Sequence, residues 1–273
     1  MPLVTVILPT WNRVKWLNRS LESVLGQTFK DFDVVVVDDG STDSTLEFLK
    51  NFSGKIRTII LDRNHGVSKA RNVAISNSNS EWIAFLDSDD YWHPEKLQKQ
   101  IDLTKFVSKC PIHFTDEIWI RNGVRVNPKK KHQKREGWIF QPSLELCLIS
   151  PSSVILKREL LEEHGMFDET LPVCEDYDLW LRLTFRYKVA LLNQKLMTRH
   201  GGHADQLSKS DWGIDRYRIK SIKKILDTQD LPQKDIAAAK IVLKKKCKIL
   251  VNGFLKRNNI KEAEFYENII NRY

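Results

Sequence analysis

The sequence predicts an α/β fold in which a mostly parallel β-sheet has helices on both faces and is followed by a C-terminal α-helical hairpin. Three observations lead to this prediction. Short apolar runs alternate with amphipathic segments through residues 1–95. Each run is almost continuously apolar, which is typical of parallel strands that are buried on both faces. Toward the end of the chain, two segments carry apolar residues at helical spacing.

The elements of residues 1–95 follow one another as strand, helix, strand. The predicted strands are LVTVILP, FDVVVVDDG, IRTIILD and EWIAFLD. The helices between them are VKWLNRSLESVLGQT, which Gly26 is expected to end, STDSTLEFLKNF and GVSKARNVAISNS. Sheets of this kind bind ligands beyond the carboxyl ends of their strands, so we expect the functional site at that edge.

The pattern becomes less regular after residue 95. Residues 111–140 contain the short β-like segments IHFTDEIWI and GWIF around a basic loop at residues 129–135. Residues 152–187 predict a strand, a short helix, a turn at Gly165, an acidic loop and a helix that begins with acidic residues. In the C-terminal hairpin we expect the buried residues to be Ala239, Leu243, Cys247, Leu250 and Phe254 on one helix, and Ala263, Tyr266 and Ile270 on the other.

The length of the chain, 273 residues, suits one large domain with an appendage. We divide it into a domain at residues 1–208, with halves at residues 1–95 and 96–208, and a helical extension at residues 209–273. No apolar run approaches the roughly 18 to 20 residues that span a bilayer. The first apolar run stops at Pro9 and lacks the basic start of a signal peptide, so we expect a cytoplasmic protein.

The cysteines agree with a reducing compartment. The chain has four of them, at Cys110, Cys147, Cys174 and Cys247. They are far apart and form no CxxC pair. We therefore expect reduced and mostly buried thiols rather than disulfides or a metal site.

The charge is unevenly distributed along the chain. The formal net charge is +9, which favours anionic partners. Basic residues concentrate in the loop at residues 129–135 and in the C-terminal third, whereas acidic residues concentrate in the first half. This pattern predicts an acidic site within a basic frame and no nucleic-acid partner. The basic segments are either solvated surfaces or contacts with an anionic membrane or a phosphate-bearing ligand.

The acidic stretch after the fourth strand is the first candidate site. Asp87 and Asp89 stand one residue apart, and in an extended segment their carboxylates would point the same way. Such a pair can approach one hard cation, and Mn²⁺ and Mg²⁺ bind oxygen ligands while keeping water or phosphate oxygens in their shell. The alternative is an ordinary solvated acidic turn.

The ends of the second and third strands add further polar groups. Asp38 and Asp39 follow the second strand, where one carboxylate can cap a helix and the other can accept hydrogen bonds from a base or a ribose. Lys69 and Arg71 lie at the start of the helix after the third strand. Cations there oppose the helix dipole and become useful when a phosphate binds; otherwise they are ordinary surface residues.

Two later segments carry possible catalytic groups. In EDYDLWLRL, the acidic residues Asp176 and Asp178 begin a helix, where they either favour the helix dipole or include a general base. In RHGGHADQLS, His200 and His203 lie in a glycine-rich stretch, which favours surface positions over metal ligation.

In combination these segments resemble the family 2 glycosyltransferases, which have a Rossmann-like fold called GT-A. The resemblance covers roughly residues 3–208 and keeps the family's order. The segments that carry it are VILPTWNR, VVVVDDGSTDST, GVSKARN, IAFLDSDDYWHPEKL and FDETLPVCEDYDLWLRL. Each motif alone is weak, but five in order are specific.

The resemblance implies roles for individual residues. Asp176 matches the general base, with Asp178 as the alternative. Asp89 and His203 match the metal ligands, and His203 begins a form of the family's H-x-x-x-x-S loop that ends at Ser208. The lead RHGG departs from the commoner R-x-H form, which weakens this match. The residues that match the nucleotide-sugar pocket are Thr10, Asn12, Arg13, Asp39, Lys69, Arg71, Asp87 and Ser88.

The function that the resemblance implies is metal-dependent inverting transfer of a sugar to a hydroxyl group. The expected donor is a UDP-sugar, the cofactor is Mn²⁺ or Mg²⁺, and the acceptor is a glycan, lipid-linked or polymer substrate of cell-surface polysaccharide synthesis. Peripheral contact with the inner face of an anionic membrane is an alternative to a solvated basic surface, and the C-terminal helices either pack on the domain or form an oligomer contact. Nucleotidyl transfer is an alternative, against which LPTWNR lacks the usual glycine-rich loop. Another is a catalytically inactive module that binds polyanions or membranes.

Overall fold

The computed structural model describes residues 1–107, 109–203, 206, 212–228 and 230–273. These residues form one β-sheet flanked by helices. The strands are β1 (Val4–Thr10), β2 (Phe32–Asp38), β3 (Arg57–Ile60), β4 (Trp82–Phe85), β5 (Tyr91–Trp92), β6 (Ile112–Arg121), β7 (Val124–Val126), β8 (Val154–Lys157) and β9 (Val189–Gly201). The helices are α1 (Val14–Leu25), α2 (Thr45–Lys50), α3 (Val67–Ser76), α4 (Lys96–Phe106), α5 (Phe140–Glu145), α6 (Arg158–His164), α7 (Glu175–Thr184), α8 (Asp215–Thr228), α9 (Gln233–Leu255) and α10 (Ile260–Arg272).

The sheet has a parallel part and a mixed part. The strand order is β3-β2-β1-β4-β8-β6-β9-β5, and β7 pairs with β6. Strands β1 to β4 are all parallel, as the sequence predicts. Strand β8 runs antiparallel to both β4 and β6, whereas β6 and β9 are parallel. The register places Thr10 beside Asp38, so the polar segments after β1 and β2 leave the sheet at the same edge.

Continuous apolar strands form here because each face of the sheet has its own core. Alternate side chains of a strand point to opposite faces. Ile7 of β1 packs with α3 in one core, which also contains Leu179 of α7, whereas Leu8 packs with α1 in the other. Strand β3 differs from this pattern because it lies at the edge of the sheet, and Ile60 is 60% exposed.

The mixed part contains the differences from the sequence prediction. GWIF does not form a strand: Gly137 makes an isolated bridge to Val189, and α5 begins at Phe140. Strand β9 was not predicted, and it carries His200 and Gly201 in its last residues rather than in a loop. The strand is hard to recognise because its middle residues, 193–195, are polar and exposed. The predicted turn at Gly165 is confirmed, with a φ of 82°.

The C-terminal helices share a core with the second half of the chain. Helices α9 and α10 form the predicted hairpin, and α8, which was not predicted, precedes it. Their apolar residues pack with α5 and α7, for example Leu243 with Leu144 and Leu181. The helices therefore support the segment that leads into α7. Among the described residues, no helix has both the length and the hydropathy that a membrane span requires.

Candidate active site

A cavity of about 920 Å³ opens at the carboxyl edge of β1, β2 and β4. Its other walls come from residues 146–151, residues 171–177, the end of β9 and the start of α8. Most of the residues that the sequence predicts for the site line this cavity: Thr10, Arg13, Asp39, Arg71, Asp87, Ser88, Asp89 and Asp176. Asn12, Lys69 and His203 do not line it, and Ser208 lies outside the described residues.

The acidic stretch after β4 is a turn and not the extended segment that we expected. The amide of Asp90 donates to the carbonyl of Asp87 at 3.0 Å, which closes the turn. The two predicted carboxylates therefore have different partners. Asp87 Oδ1 lies 2.7 Å from Arg71, whereas Asp89 Oδ2 lies 2.7 Å from Nε2 of His203.

Asp89 is kept ionised by its neighbours. Burial raises the pKa of its carboxyl, but the hydrogen bond with His203 and the charge of Arg13 lower it by more, so the net shift of the pKa is downward. The described residues contain no cluster of three or more His, Cys, Asp or Glu side chains that could hold a metal alone. Asp89 and His203 nevertheless supply one oxygen and one nitrogen ligand side by side. Such a pair fits Mn²⁺ or Mg²⁺ if diphosphate oxygens and water complete the shell.

Asp90 stabilises the turn through its buried side chain. The sequence alone did not identify it as a site residue. Its buried carboxylate accepts hydrogen bonds from Ser152 Oγ at 2.6 Å and from the amide of His200 at 2.9 Å. Burial, together with the charges of Asp89 and Asp87, raises the pKa of Asp90 well above its ordinary value. Ser20 of α1 adds a third support, since its hydroxyl lies 2.7 Å and 2.6 Å from the carbonyls of Ser88 and Asp90. The turn is thus tied to α1, to the short helical turn at Pro151–Ser153 that precedes β8, and to β9.

The nucleotide side of the cavity is shaped by Asp39 and Asn12. The two oxygens of Asp39 accept hydrogen bonds from the amides of His65 and Gly66, both at 2.8 Å, and so fix the start of α3. Burial raises the pKa of Asp39 despite these hydrogen bonds. Asn12 has a φ of 52°, and its Oδ1 accepts from the amide of Thr42 at 2.8 Å. Asn12 therefore holds the loop after β2 instead of facing the cavity.

Thr10 remains available to a ligand. Its side chain is buried at the cavity wall, and its Oγ1 has no hydrogen-bond partner among the described residues. A buried hydroxyl of this kind is normally satisfied by a partner. A ligand or a water molecule in the cavity would provide one.

Arg71 joins the two sides of the site. Its buried guanidinium lies 2.7 Å from Asp87 and 2.7 Å from Glu175. Burial lowers the pKa of Arg71, but the two carboxylates raise it by more. Burial and the charge of Asp176 raise the pKa of Glu175 to about 7, even with Arg71 beside it. Lys69 is half-exposed and does not line the cavity, although it pairs at 3.5 Å with Glu169, which does.

Asp176 lies at the start of α7 and faces the cavity. Its Oδ1 accepts from the amide of Tyr177 at 2.7 Å, and its Oδ2 lies 3.4 Å from the thiol of Cys147. Burial raises the pKa of that thiol well above its ordinary value, so Cys147 acts as a neutral donor. Asp178, the alternative base, is buried and is held by Arg182 at 2.9 Å and by Lys224 at 3.0 Å. It does not line the cavity.

The four cysteines are free thiols, as predicted. Only Cys247 is fully buried, and Cys110, Cys147 and Cys174 are half-buried. Cys147 and Cys174 both line the cavity near Asp176. Burial raises the pKa of Cys174 to about 12, which keeps this thiol protonated at neutral pH.

The far end of the cavity contains residues that the sequence did not identify. Lys134 and Glu117 form a buried ion pair at 3.2 Å. The guanidinium of Arg199 lies 5.8 Å from the ring centre of Trp119, and Arg218 reaches the wall from α8. These residues come from β6, the basic loop, β9 and α8. No short motif in the sequence connects these segments.

The comparisons with known proteins agree with this architecture. A sequence model of the family described as "Glycosyl transferase family 2" matches residues 5–165, which is more than half of the chain. The chain belongs to glycosyl transferase family 2. The resemblance described above is therefore confirmed at the level of the family.

Several glycosyltransferases are similar to this chain along most of its length. The putative teichuronic acid biosynthesis glycosyltransferase TuaG of Bacillus subtilis is 30% identical over 186 residues, which cover 67% of this chain and 72% of TuaG. The UDP-Glc:alpha-D-GlcNAc-diphosphoundecaprenol beta-1,3-glucosyltransferase WfaP of Escherichia coli is 29% identical over 215 residues, which cover 76% of this chain and 80% of WfaP. An uncharacterized glycosyltransferase of Rickettsia bellii is 32% identical, and this chain spans 31% of its length.

Solved structures share the fold of this family 2 chain. TarS 1-349 of S. aureus in complex with UDP-GlcNAc has a TM-score of 0.72 and 24% identity, with 92% of this chain and 72% of that chain covered. The mannosyltransferase PcManGT of Pyrobaculum calidifontis in complex with GDP-Man and Mn²⁺ has a TM-score of 0.64 and 16% identity, with 98% and 79% covered. These likenesses confirm the predicted fold class.

Proposed function

We propose that this chain transfers a sugar, with inversion, from a UDP-sugar to a hydroxyl group of a glycan, lipid-linked or polymer acceptor in cell-surface polysaccharide synthesis. One observation carries the proposal. A single cavity is lined both by the Asp87–Asp89 turn and by Asp176, and both are presented by buried, hydrogen-bonded elements. Membership of family 2 and the names of TuaG and WfaP support the reaction class and the type of acceptor.

The donor is proposed to bind between the ends of β1 and β2 and the acidic turn. Thr10 and Asp39 line the nucleotide side, Arg13 lies near Asp89, and Asp87 is part of the turn. The choice of UDP is supported by the donor in the name of WfaP and by the UDP-GlcNAc in the TarS complex. Asn12 and Arg71 act here as supports, since their side chains are engaged with the protein rather than with the cavity.

The cofactor is proposed to be Mn²⁺ or Mg²⁺, held by Asp89 and His203. When bound, the ion would neutralise negative charge on the diphosphate leaving group. The chain's own contribution is to keep Asp89 ionised and to hold His203 against it. The Mn²⁺ in the PcManGT complex supports this choice.

Asp176 is proposed to be the general base. Its carboxylate would accept the proton of the acceptor hydroxyl while the oxygen attacks the anomeric carbon from the face opposite the diphosphate. The bond from that carbon to the diphosphate oxygen breaks, and the nucleotide leaves with the electron pair. Tyr177 and Cys147 orient the carboxylate by hydrogen bonds. Asp178 is the weaker candidate because Arg182 and Lys224 engage its oxygens.

The location, domain division and oligomeric state of the enzyme are also proposed. We propose a cytoplasmic protein at the inner face of the membrane, with a domain at residues 1–208 and a helical extension at residues 209–273. The outer face of α9 supports this location, since Lys245 and Lys248 are exposed on it beside Ile241 and Ile249. Co-sedimentation that shows no preference for vesicles with anionic lipid would contradict the membrane contact. Light scattering would test for an oligomer through the C-terminal helices.

Calorimetric titration of UDP tests the donor site. We expect UDP to bind in the presence of Mn²⁺, and to bind more tightly than GDP and dTDP. Asp89→Asn should weaken binding about 10- to 100-fold in the presence of Mn²⁺ and much less in its absence, because the proposed metal ligand is lost. Lys69→Gln, outside the cavity, is the matched control. No binding of any nucleotide would favour the alternative of an inactive module that binds polyanions or membranes.

A further inference from the structure

Three further cations line the same cavity as the acidic turn and Asp176. Lys134 comes from the basic loop, Arg199 from the end of β9 and Arg218 from α8. The proposed reaction accounts for the cations near the acidic turn, but it assigns no role to these three. The ion pairs and hydrogen bonds of each side chain show which of the three still has N–H groups without a partner.

The ammonium group of Lys134 already has partners within the protein. Its Nζ lies 3.2 Å from Glu117 and donates to the carbonyl of Leu148 at 2.8 Å. Both members of the ion pair are buried, with 9% and 2% of their side chains exposed. Lys134 therefore balances the charge of Glu117, and Arg199 is not needed for this.

Arg199 has a charge that no neighbour matches directly. Within the described residues, its guanidinium makes no ion pair within 4 Å and no hydrogen bond, and it lies over the ring of Trp119. Burial lowers its pKa, but four acids near it raise the pKa by more, Glu117, Asp90, Asp176 and Asp87, and each has another partner. Glu117 pairs with Lys134, Asp90 with Ser152 and the amide of His200, Asp176 with the amide of Tyr177 and the thiol of Cys147, and Asp87 with Arg71. Its N–H groups are thus directed to the cavity.

Arg218 also has N–H groups to spare. Its Nη1 lies 3.1 Å from Asp215, but Asp215 is shared with Lys246 at 3.0 Å. The buried Nε of Arg218 has no hydrogen-bond partner among the described residues. Its guanidinium lies 5.8 Å from the ring centre of Tyr177, the residue that follows Asp176.

Arg199 and Arg218 thus both have N–H groups that the described residues leave without a partner. The acceptor hydroxyl is neutral and needs no cation. An anionic group of the acceptor would satisfy these N–H groups by charge-assisted hydrogen bonds.

We propose that Arg199 and Arg218 form a subsite for an anionic group of the acceptor, a phosphate or diphosphate next to the sugar that carries the attacking hydroxyl. Trp119 then provides an aromatic surface for that sugar. The inference rests on the proposed function, since it places the acceptor beside Asp176. A uronate carboxylate offers the same chemistry as a phosphate, so the test includes both sources.

The test measures binding to protein saturated with UDP and Mn²⁺, so that the donor end is filled. The probes are octyl diphosphate, octyl phosphate, octanoate and octyl glucoside. We expect octyl diphosphate to bind at least tenfold more tightly than octyl glucoside. Arg199→Gln and Arg218→Gln should each weaken it about tenfold, as expected for a charged hydrogen bond, and leave the Kd of octyl glucoside unchanged.

The variants are designed to fold. In Arg218→Gln, Asp215 keeps Lys246, and in Arg199→Gln, Glu117 keeps Lys134. Arg218→Lys retains the charge and should recover part of the affinity. Lys223→Gln removes a cation of α8 that does not line the cavity, and it should bind every probe like the unchanged protein.

The outcomes separate this inference from the proposed function. Equal binding of octyl diphosphate and octyl glucoside, or anion binding that neither variant weakens, would overturn the subsite even if UDP binds normally. Variants that weaken UDP and not octyl diphosphate would assign the arginines to the donor. Tight binding of octanoate alone would support the subsite with a carboxylate as its ligand. If UDP does not bind, the proposed function fails, and the same probes are titrated without UDP.

Discussion

The two ends of the cavity are built in different ways. At the donor end, short turns follow neighbouring parallel strands, and each turn is held by backbone hydrogen bonds to Asp39, Asp90 and Ser20. At the acceptor end, single side chains such as Trp119, Arg199 and Arg218 come from segments far apart in the chain. At the donor end, hydrogen bonds thus hold the turns in place, and the residues of each turn are consecutive in the sequence. The acceptor end depends on how the mixed part of the sheet and the C-terminal helices pack.

The loss of Arg71 should have the largest effect on stability, because this residue joins the two ends. Arg71→Gln leaves Asp87 and Glu175 without their shared cation, and breaking a buried pair costs about 3–5 kcal/mol of unfolding free energy. Urea denaturation measures this loss. Arg71→Gln combined with Glu175→Gln should recover part of it. Lys69→Gln, two residues away in an exposed pair, should cost less than about 1 kcal/mol. Equal losses for the two single variants would contradict the role of Arg71.

Asp176→Asn should separate the chemistry from the binding of the donor. We expect transfer to fall about 10²- to 10⁴-fold, the usual contribution of a general base, with the affinity for UDP unchanged. Release of UDP under saturating donor measures the rate. Asp178→Asn should instead reduce stability, because Arg182 and Lys224 lose their partner, while the folded fraction keeps its activity. A variant of Asp176 with ordinary turnover would move the base elsewhere.

Asn12 tests whether the donor end depends on its turns. Asn12→Ala removes the acceptor for the amide of Thr42 and puts alanine, which tolerates the left-handed region less well than asparagine, at a φ of 52°, so we expect a loss of about 1–2 kcal/mol. Asn12→Gly removes the same hydrogen bond without the backbone strain and should cost less. Thermal denaturation of both variants measures the difference. A glycine variant that is less stable than the alanine variant would contradict this account.

We expect the smallest effect from Glu175, in the way the free energy of unfolding changes with pH. Its pKa is raised to about 7 in the folded protein, so the folded state holds this proton more tightly than the unfolded chain. Its contribution to the free energy of unfolding is therefore present below about pH 4.5 and is lost as the pH rises through about 7. Relative to the unchanged protein, Glu175→Gln should gain stability between pH 5 and pH 8. Urea midpoints at both pH values test the sign of this change.

The sequence brought the residues of the proposed donor end to one edge of the sheet, as the structure has them, because the signals there are local. A buried strand followed by acidic residues identifies Asp39, Asp87 and Asp89 without any knowledge of distant contacts. The same reasoning misjudged the turn at Asp87–Asp90 as extended, because the hydrogen bonds from Ser152 and His200 that shape it come from distant parts of the chain.

The acceptor end escaped prediction for a physical reason. Strand β9 has polar, exposed residues in its middle, so its apolar pattern is interrupted. Lys134 reads as one more charge of a basic loop, yet it is buried against Glu117. Arg218 lies on a helix whose tertiary contacts, and not its own pattern, bring it to the cavity. Packing between segments that lie far apart in the same chain cannot be recognised from a short stretch of sequence.

The position of α8 has a consequence for how such enzymes diverge. The family match ends at residue 165, and Arg218 lies beyond it, on a helix that packs with α5 and α7. Exchange of this helical tail between relatives would alter one wall of the acceptor end and leave the turns of the donor end in place. A lineage could in this way acquire a new polymer as its substrate while inheriting its nucleotide chemistry unchanged.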